Sequence, residues 1–350
     1  MSTSNSRTTP AHDQDALLAD WRQRAMNFEQ EIGKAIIGMS HSVRQITLAI
    51  FARGHVMLEG DVGVGKTTLL RAVARGLGGA YERIEGTIDL MPNDLVYHTY
   101  INEHGKPQVD PGPILKHGEE LSTFFFNEVN RARPQVHSLL LRVMAERSVT
   151  AFNKEHSFPY LQVFADRNRV EKEETFEIPS AARDRFLMEL RIEPPEDTAL
   201  QKALMFDARF HDVDSLIETV QPGVIDYRAI ADFAPVIQRQ VQASDTLQQY
   251  AWELWQATRK PRDYGVSLDG VDMDQLILAG ASPRGMSMMM RAARVSAWLD
   301  GRDYLVPEDI QQVFQETTAH RVFFSPVYEL RRETLIGDLM NGILKQVATP

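Results

Sequence analysis

Residues 60–67 read Gly60-Asp-Val-Gly-Val-Gly-Lys-Thr67, a complete G-x-x-x-x-G-K-[ST] phosphate-binding loop. An apolar run, His55-Val-Met-Leu58, precedes it, and a helical pattern, Thr68-Leu-Leu-Arg-Ala-Val-Ala-Arg75, follows it. Strand, loop and helix in that order are the context this loop requires. Gly60, Gly63 and Gly65 let the backbone turn tightly, so that its N–H groups can face phosphate oxygens. The start of the following helix adds a dipole that favours an anion. Asp61, Val62, Val64 and Thr68 complete the cradle. Lys66 is placed to reach the β- and γ-phosphates, and the Thr67 hydroxyl to hold Mg²⁺.

Outward from the loop, four more strand-like runs appear: Tyr81–Ile84, Phe124–Asn127, Leu161–Ala165 and Leu187–Ile192. Helical patterns separate several of them, which predicts an α/β layered fold with a mostly parallel sheet. Upstream, Leu17, Leu18, Trp21, Ala25, Phe28 and Ile32 recur at helical spacing, and Val43, Ile46 and Ile50 mark a second helix. Two inserted hairpins are expected, one over 96–112 around Glu103–Lys106 and one over 148–158 around Asn153–Glu155. Glu193-Pro-Pro-Glu196 breaks regular structure and is read as a domain boundary. The expected organisation is a disordered tail over 1–13, a nucleotide-binding core over 14–195 and an all-helical lid over 196–350. The lid helices are placed near Asp197–Ala208, Asp226–Gln240, Asp245–Arg259, Met273–Ala279, Pro283–Asp300, Pro307–Arg321 and Thr334–Val347. Met286–Met290, Trp252, Trp255 and Trp298 are read as its core.

Composition narrows the class. With 350 residues there is ample chain for two domains and a sizeable core. Cysteine is absent, which removes disulfides and thiolate metal sites. The polar N-terminus lacks the apolar segment of a signal peptide, and no long apolar run predicts a membrane span. A cytoplasmic location is expected. The net charge of −10 argues against bulk affinity for nucleic acid.

Residues just after parallel strands are where ligands bind. Phe124-Phe-Phe-Asn-Glu128 is an apolar strand ending in polar groups. P-loop NTPases orient Mg²⁺ and the attacking water at such a place. Glu128 would accept a hydrogen bond from that water and aim it at the γ-phosphate. Asn127 occupies the metal-side position with an amide oxygen and no charge. A missing charge beside a dication can matter by a few kcal/mol where the local dielectric is low. The expectation is weaker Mg²⁺ retention or slower turnover, relieved by Asn127→Asp. Asn168, at the end of another strand, could bridge the γ-phosphate and the lytic water. In Ala182-Arg-Asp-Arg-Phe186, Arg185, ahead of Arg183, is the candidate to enter a neighbouring site as an arginine finger. In Gly280-Ala-Ser-Pro-Arg284, Pro283 suits a first helical turn. That puts Arg284 at a helix start, where the dipole disfavours a cation. Such local inconsistency tends to mark function.

Together these stretches resemble AAA+ ATPases and, within them, the MoxR family. The resemblance runs roughly from Phe28 to Arg321. It is carried by Ile37-Gly38, Gly54–Glu59, Thr87–Asp94, Pro111–Ile114, Asn127-Glu-Val-Asn-Arg-Ala132, Asp184-Arg-Phe186 and Gly280–Arg284. The resemblance implies a five-stranded αβα core with a helical lid, assembled as a homo-oligomeric ring, usually a hexamer. It implies ATP and Mg²⁺ as cofactors in a site between subunits, with Ile37 and Gly38 beside the nucleotide. Thr67 and Glu128 would act in cis, Asn168 as first sensor, Arg185 as finger and Arg284 as second sensor. The hairpins match inserts that face the pore or the client. The family acts with partners carrying a von Willebrand factor A domain. It matures or remodels proteins, for example by inserting metal into a metalloenzyme such as methanol dehydrogenase. Three stretches depart from the family pattern: Asn127 for Asp, Val62 for Pro, and Ala165-Asp-Arg-Asn-Arg169 for Ala-Thr-Gln-Asn-Pro. An ATP-responsive scaffold with weak hydrolysis is the alternative, and a nucleic-acid motor a more distant one.

Overall fold

A computed structural model of the chain describes residues 11–168 and 175–350. Five parallel strands form the central sheet: β1 (His55–Glu59), β2 (Ala80–Glu85), β3 (Leu121–Asn127), β4 (Gln162–Arg167) and β5 (Phe186–Arg191), in the spatial order β2-β3-β4-β1-β5. All five predicted strands are present. Every residue of β3 is buried, including Phe124, Phe125 and Phe126, as expected for a strand covered on both faces. The register pairs Phe125 with Phe164 and Phe126 with Ala165. The next step up the two strands therefore sets Asn127 beside Asp166.

Helices α1 (Ala11–Ala35), α2 (Ser40–Phe51), α3 (Lys66–Leu77) and α4 (Pro134–Glu146) flank the sheet. The first begins at Ala11, ahead of the predicted Ala16. The inserts over 97–111 and 148–157 are both antiparallel hairpins. In the second, the turn falls on Phe152 and Asn153, both in the left-handed region, and not on Asn153–Glu155: Lys154 and Glu155 already belong to the return strand. Tyr97 and Phe152 touch at 4.7 Å between ring centroids, which joins one hairpin to the other.

Beyond β5 the chain is mostly helical. Its main helices are α5 (Ile230–Gln240), α6 (Asp245–Arg259), α7 (Pro283–Leu299), α8 (Pro307–Thr318) and α9 (Arg332–Gln346). The predicted helix over Met273–Ala279 stops at Leu276; Ile277–Ala279 instead pairs antiparallel with Phe323–Phe324. Trp298 is buried, but Trp252 is exposed, because the buried stripe of α6 runs through Leu247, Tyr250, Ala251, Leu254, Ala257 and Thr258 and misses it. Trp21 of α1, Phe51 of α2, Phe233 of α5 and Trp298 of α7 form one aromatic cluster, with Trp21 and Phe233 stacked at 4.8 Å. Lid and core thus share an apolar interior.

Candidate functional site

The sheet places polar groups at both of its ends. At the carboxyl end, Gly63 and Gly65 hold φ of 81° and 92°, conformations that glycine adopts freely, and α3 starts at Lys66. Lys66 is buried. Its ammonium donates to Gly60 O at 2.5 Å and to Asn168 Oδ1 at 2.8 Å, and lies 3.4 Å from Asp166 Oδ2. Asn168 passes the contact on, donating to Glu128 Oε1 at 3.0 Å, while Arg131 donates to Glu128 Oε2 at 3.0 Å. Lys66, Asn168 and Glu128 are therefore one polar chain along the tips of β1, β4 and β3. The turn between α1 and α2 lies over the loop: the Met39 methyl is 3.4 Å from where a Cβ on Gly65 would stand. Ile37 and Gly38, with φ of 75°, sit in that turn, and Gly38 backs onto Pro195.

Glu128 adopts φ of 52°, an uncommon conformation for a non-glycine residue. Two neighbours make room for it. Asp166 accepts the Glu128 N–H at 2.5 Å. Gly86 donates to Asn127 O at 2.7 Å, and a Cβ on Gly86 would stand 2.1 Å from Glu128 O. Asp166, Gly86 and Arg131 were not singled out from the sequence. Asp166 is 1% exposed; burial pushes its carboxyl up, against the Glu128 N–H and Lys66, which hold it down.

A cavity of about 350 Å³ is lined by the loop from Val62 to Thr68 together with Arg83, Glu85, Asn127, Glu128, Asp166 and Asn168. That is the size of small-molecule sites. Thr67, Asn127, Glu128 and Asp166 offer hard oxygen donors, the chemistry Mg²⁺ prefers. Among the described residues, no group of three His, Asp or Glu side chains could hold a metal alone. The donor set therefore fits Mg²⁺ shared with substrate phosphates, the usual arrangement for this ion.

Arg185 and Arg284 are not in that cavity. Arg185 immediately precedes β5 and lies at the opposite end of the sheet, beside His55 at the start of β1. The length of β1 separates the two ends, roughly 16 Å at about 3.3 Å per residue. Arg185 donates to Ala181 O at 3.0 Å and makes no ion pair among the described residues. Arg183 is buried, 3.9 Å from Glu189, and is the less accessible of the two. Arg284, in the first turn of α7, pairs with Asp184 at 3.1 Å, which offsets the unfavourable dipole. Asp184 also accepts from Ser282 Oγ at 2.5 Å and from Arg321 Nε at 3.0 Å.

Arg185 and Arg284 share a second cavity, about 730 Å³, with Arg53, Arg147, Arg239 and Arg291. Arg53, Arg147 and Arg291 donate to the backbone carbonyls of Pro159, Arg53 and Ala52. Burial, and then the neighbouring Arg53 and Arg291 cations, pull Arg147 down to about 10. Six arginines thus line this end of the sheet. Arg167 has a different role: it pairs with Glu189 at 2.9 Å and Glu59 at 3.4 Å across the tips of β4, β5 and β1. Burial pushes Glu189 up, but Arg167 and Arg183 outweigh it and hold its carboxyl at about 2. Arg169 lies outside the described residues.

A parallel sheet with a complete phosphate loop, a strand-end glutamate beside it and a helical lid define a P-loop ATPase of the AAA+ type. Residues 55–188 match the ATPase family associated with various cellular activities (AAA), and residues 272–337 match the AAA lid domain. The chain is 60% identical over 336 residues to Protein MoxR of Methylorubrum extorquens, covering 96% of this chain and 98% of that one. It is 48% identical to Protein MoxR of Paracoccus denitrificans, over 96% and 99% of the two chains. It is 29% identical to Chaperone MoxR1 of Mycobacterium tuberculosis, over 91% and 81%. A crystal structure from Cytophaga hutchinsonii, described as that of a candidate ATPase, superposes with a TM-score of 0.80 at 29% identity, covering 97% of this chain and 98% of that one. The chain belongs to the MoxR family of AAA+ ATPases. No helix among its described residues is long and apolar enough to cross a membrane.

Proposed function

We propose that this chain assembles head to tail into a ring, usually of six copies in this family, and uses Mg²⁺-dependent ATP hydrolysis between copies to remodel a client protein. The observation that carries the proposal is the division of the site. The phosphate loop, Glu128 and Asn168 occupy one end of the sheet, while Arg185 and Arg284 occupy the other. One chain cannot bring its own arginines to its own phosphates. A head-to-tail contact between copies would, and such contacts close into rings when the rotation allows.

In the assembled site, Lys66 and the loop N–H groups bind the ATP phosphates. Thr67 and the acidic strand ends would hold Mg²⁺, which when bound neutralises phosphate charge and aligns the leaving group. Glu128, held by Asn168 and Arg131, accepts a proton-side hydrogen bond from the attacking water. Arg185 of the adjoining copy stabilises charge on the transferring group, a contribution of about 10³–10⁵ in rate in related sites. Arg284, at the start of α7, reads the same charge and couples it through Asp184 to the segment that leads into β5. The client is read by family resemblance as a metalloenzyme, acting with a von Willebrand factor A domain protein in the cytoplasm. Asn127 favours a second reading, in which ATP binding without brisk hydrolysis switches a scaffold.

Mixing two inactive variants tests the division. Lys66→Ala and Arg185→Ala chains should each release phosphate at background rate. Mixed, they form some interfaces that join an intact loop to an intact Arg185, and phosphate release should recover to a substantial fraction of wild type. A mixture that co-assembles yet stays at background would show that the site is not shared.

A further inference from the structure

Asn127 leaves the metal side of the nucleotide site without the charge that an aspartate would supply. The register of the sheet shows where a charge of the same sign has been placed. Phe126 pairs with Ala165, so Asn127 and Asp166 stand at the same level on adjacent strands. Both line the cavity that holds Thr67 and Lys66. One strand end carries an amide where a carboxylate is expected, and each neighbouring strand carries a carboxylate at that level, about 4.8 Å away: Glu85 on β2, which is exposed and pairs with Arg83 at 3.3 Å, and Asp166 on β4, which is buried against Lys66.

We propose that Asp166 is the metal-side carboxylate of this site, a charge moved from the tip of β3 to the tip of β4, and that Asn127 is tolerated because of it. This rests on the Mg²⁺-ATP reading given above. Two contacts shape what Asp166 can do. Its Oδ1 accepts the Glu128 N–H at 2.5 Å, which fixes the carboxylate against the residue that orients water. Its Oδ2 faces Lys66 at 3.4 Å, longer than a tight charged hydrogen bond, while Asn168 Oδ1 takes the Lys66 ammonium at 2.8 Å. Oδ2 thus keeps acceptor capacity toward the cavity. A water on a metal held by Thr67 is the donor its position suits. A carboxylate that served only to balance Lys66 would not need to be level with Asn127 or to line the phosphate cavity.

The two roles separate in a Mg²⁺ titration of ATP-analogue binding, read by fluorescence anisotropy of a labelled, non-hydrolysable analogue on the full chain. Asp166→Asn should raise the Mg²⁺ concentration for half-maximal binding by about tenfold, the lower end of the effect of removing an outer-sphere partner. Binding in EDTA should change less than about threefold. In place of the relief expected from the sequence, Asn127→Asp should have little effect in the wild-type background, where Asp166 already supplies the charge, but should recover about tenfold in Mg²⁺ half-saturation when Asp166 is already Asn. Because Asp166→Asn could impair folding, Asn127→Asp together with Asp166→Asn is a second, charge-conserving variant. Its Mg²⁺ half-saturation should lie within about threefold of wild type. Equal losses with Mg²⁺ and with EDTA, or the same effect of Asn127→Asp in both backgrounds, would overturn the assignment of Asp166. Wild-type chain that binds no analogue in either buffer would instead overturn the nucleotide reading beneath it.

Discussion

Gly86→Ala is the most exacting small change the site offers. The added methyl would stand 2.1 Å from Glu128 O and 2.9 Å from Glu128 C, where 3.0 Å is already closer than real Cβ contacts come. Both obstacles are backbone, and both belong to a residue already held at φ of 52°. Neither can rotate aside, so one strand tip must shift by about 1 Å; a displacement of that size near reacting groups costs about 10² in rate. Overpacking of this kind typically destabilises by about 1–3 kcal/mol, enough to lower the melting temperature by several degrees. Gly33→Ala is the control: it lies in α1 with nothing within 4 Å of the added carbon, and should raise stability by about 0.5–1 kcal/mol. Phosphate release and thermal melting of the two variants are the assay. Gly86→Ala activity within threefold of wild type, with an unchanged melt, would refute the claim that Gly86 sets the position of Glu128.

Two further outcomes follow from buried charges. His55 donates from Nε2 to Met144 O at 3.1 Å and accepts the Val163 N–H at Nδ1, so the fold holds it neutral. Burial, and then Arg147, pull it down to about 3, from 6.5 in the unfolded chain. The unfolded chain therefore takes the proton first. The contribution of His55 is complete above pH 6.5 and is lost as pH falls toward 3, by about 2 kcal/mol at pH 5. Buried His320, pulled down chiefly by its burial, adds in the same direction. Urea midpoints at pH 7.5 and 5 should show His55→Gln losing about 2 kcal/mol less than wild type between the two; equal losses would remove His55 from the account. Asp184→Asn takes the carboxylate from buried Arg321 and from Arg284 and should cost about 3 kcal/mol or more in urea unfolding. A change below about 1 kcal/mol would show that the backbone acceptors alone satisfy Arg321.

The parts of the fold that were legible in the sequence were the parts governed by local pattern. The phosphate loop, the apolar strands and most lid helices follow from spacing over a few residues. The second hairpin was found, but its turn was misplaced because it sets Phe152, a bulky residue, in a conformation that glycine and asparagine favour. The exposure of Trp252 was readable from the stripe around it. Asp166 was visible only as a departure from a motif. Its relation to Asn127 depends on the register of two strands separated by a hairpin and a helix, which no local pattern encodes. Gly86 was silent for the same reason: the need for it is a collision with a distant backbone. The arginine-lined cavity gathers Arg53, Arg147, Arg185, Arg239 and, both on α7, Arg284 and Arg291 from five separate segments, and only the folded sheet brings them together.

Arg321 is the feature with the widest consequence for motion. Its guanidinium is fully buried, bonded to the Asp184 carboxylate and to the carbonyls of Asp184, Phe186, Leu187 and Thr317. Burial pulls it down only to about 10, so it stays a cation at neutral pH. Gly285 is packed against it so closely that a Cβ there would stand 2.3 Å from Arg321 Cδ. Swinging α7 and α8 away from β5 would strand that cation in an apolar interior, at a cost of several kcal/mol. The lid is therefore no hinged cover over its own phosphate loop. It is keyed to the edge of the sheet that carries Arg185, and in the proposed ring a working stroke would turn these two parts together as one body, leaving the give to the seam between copies.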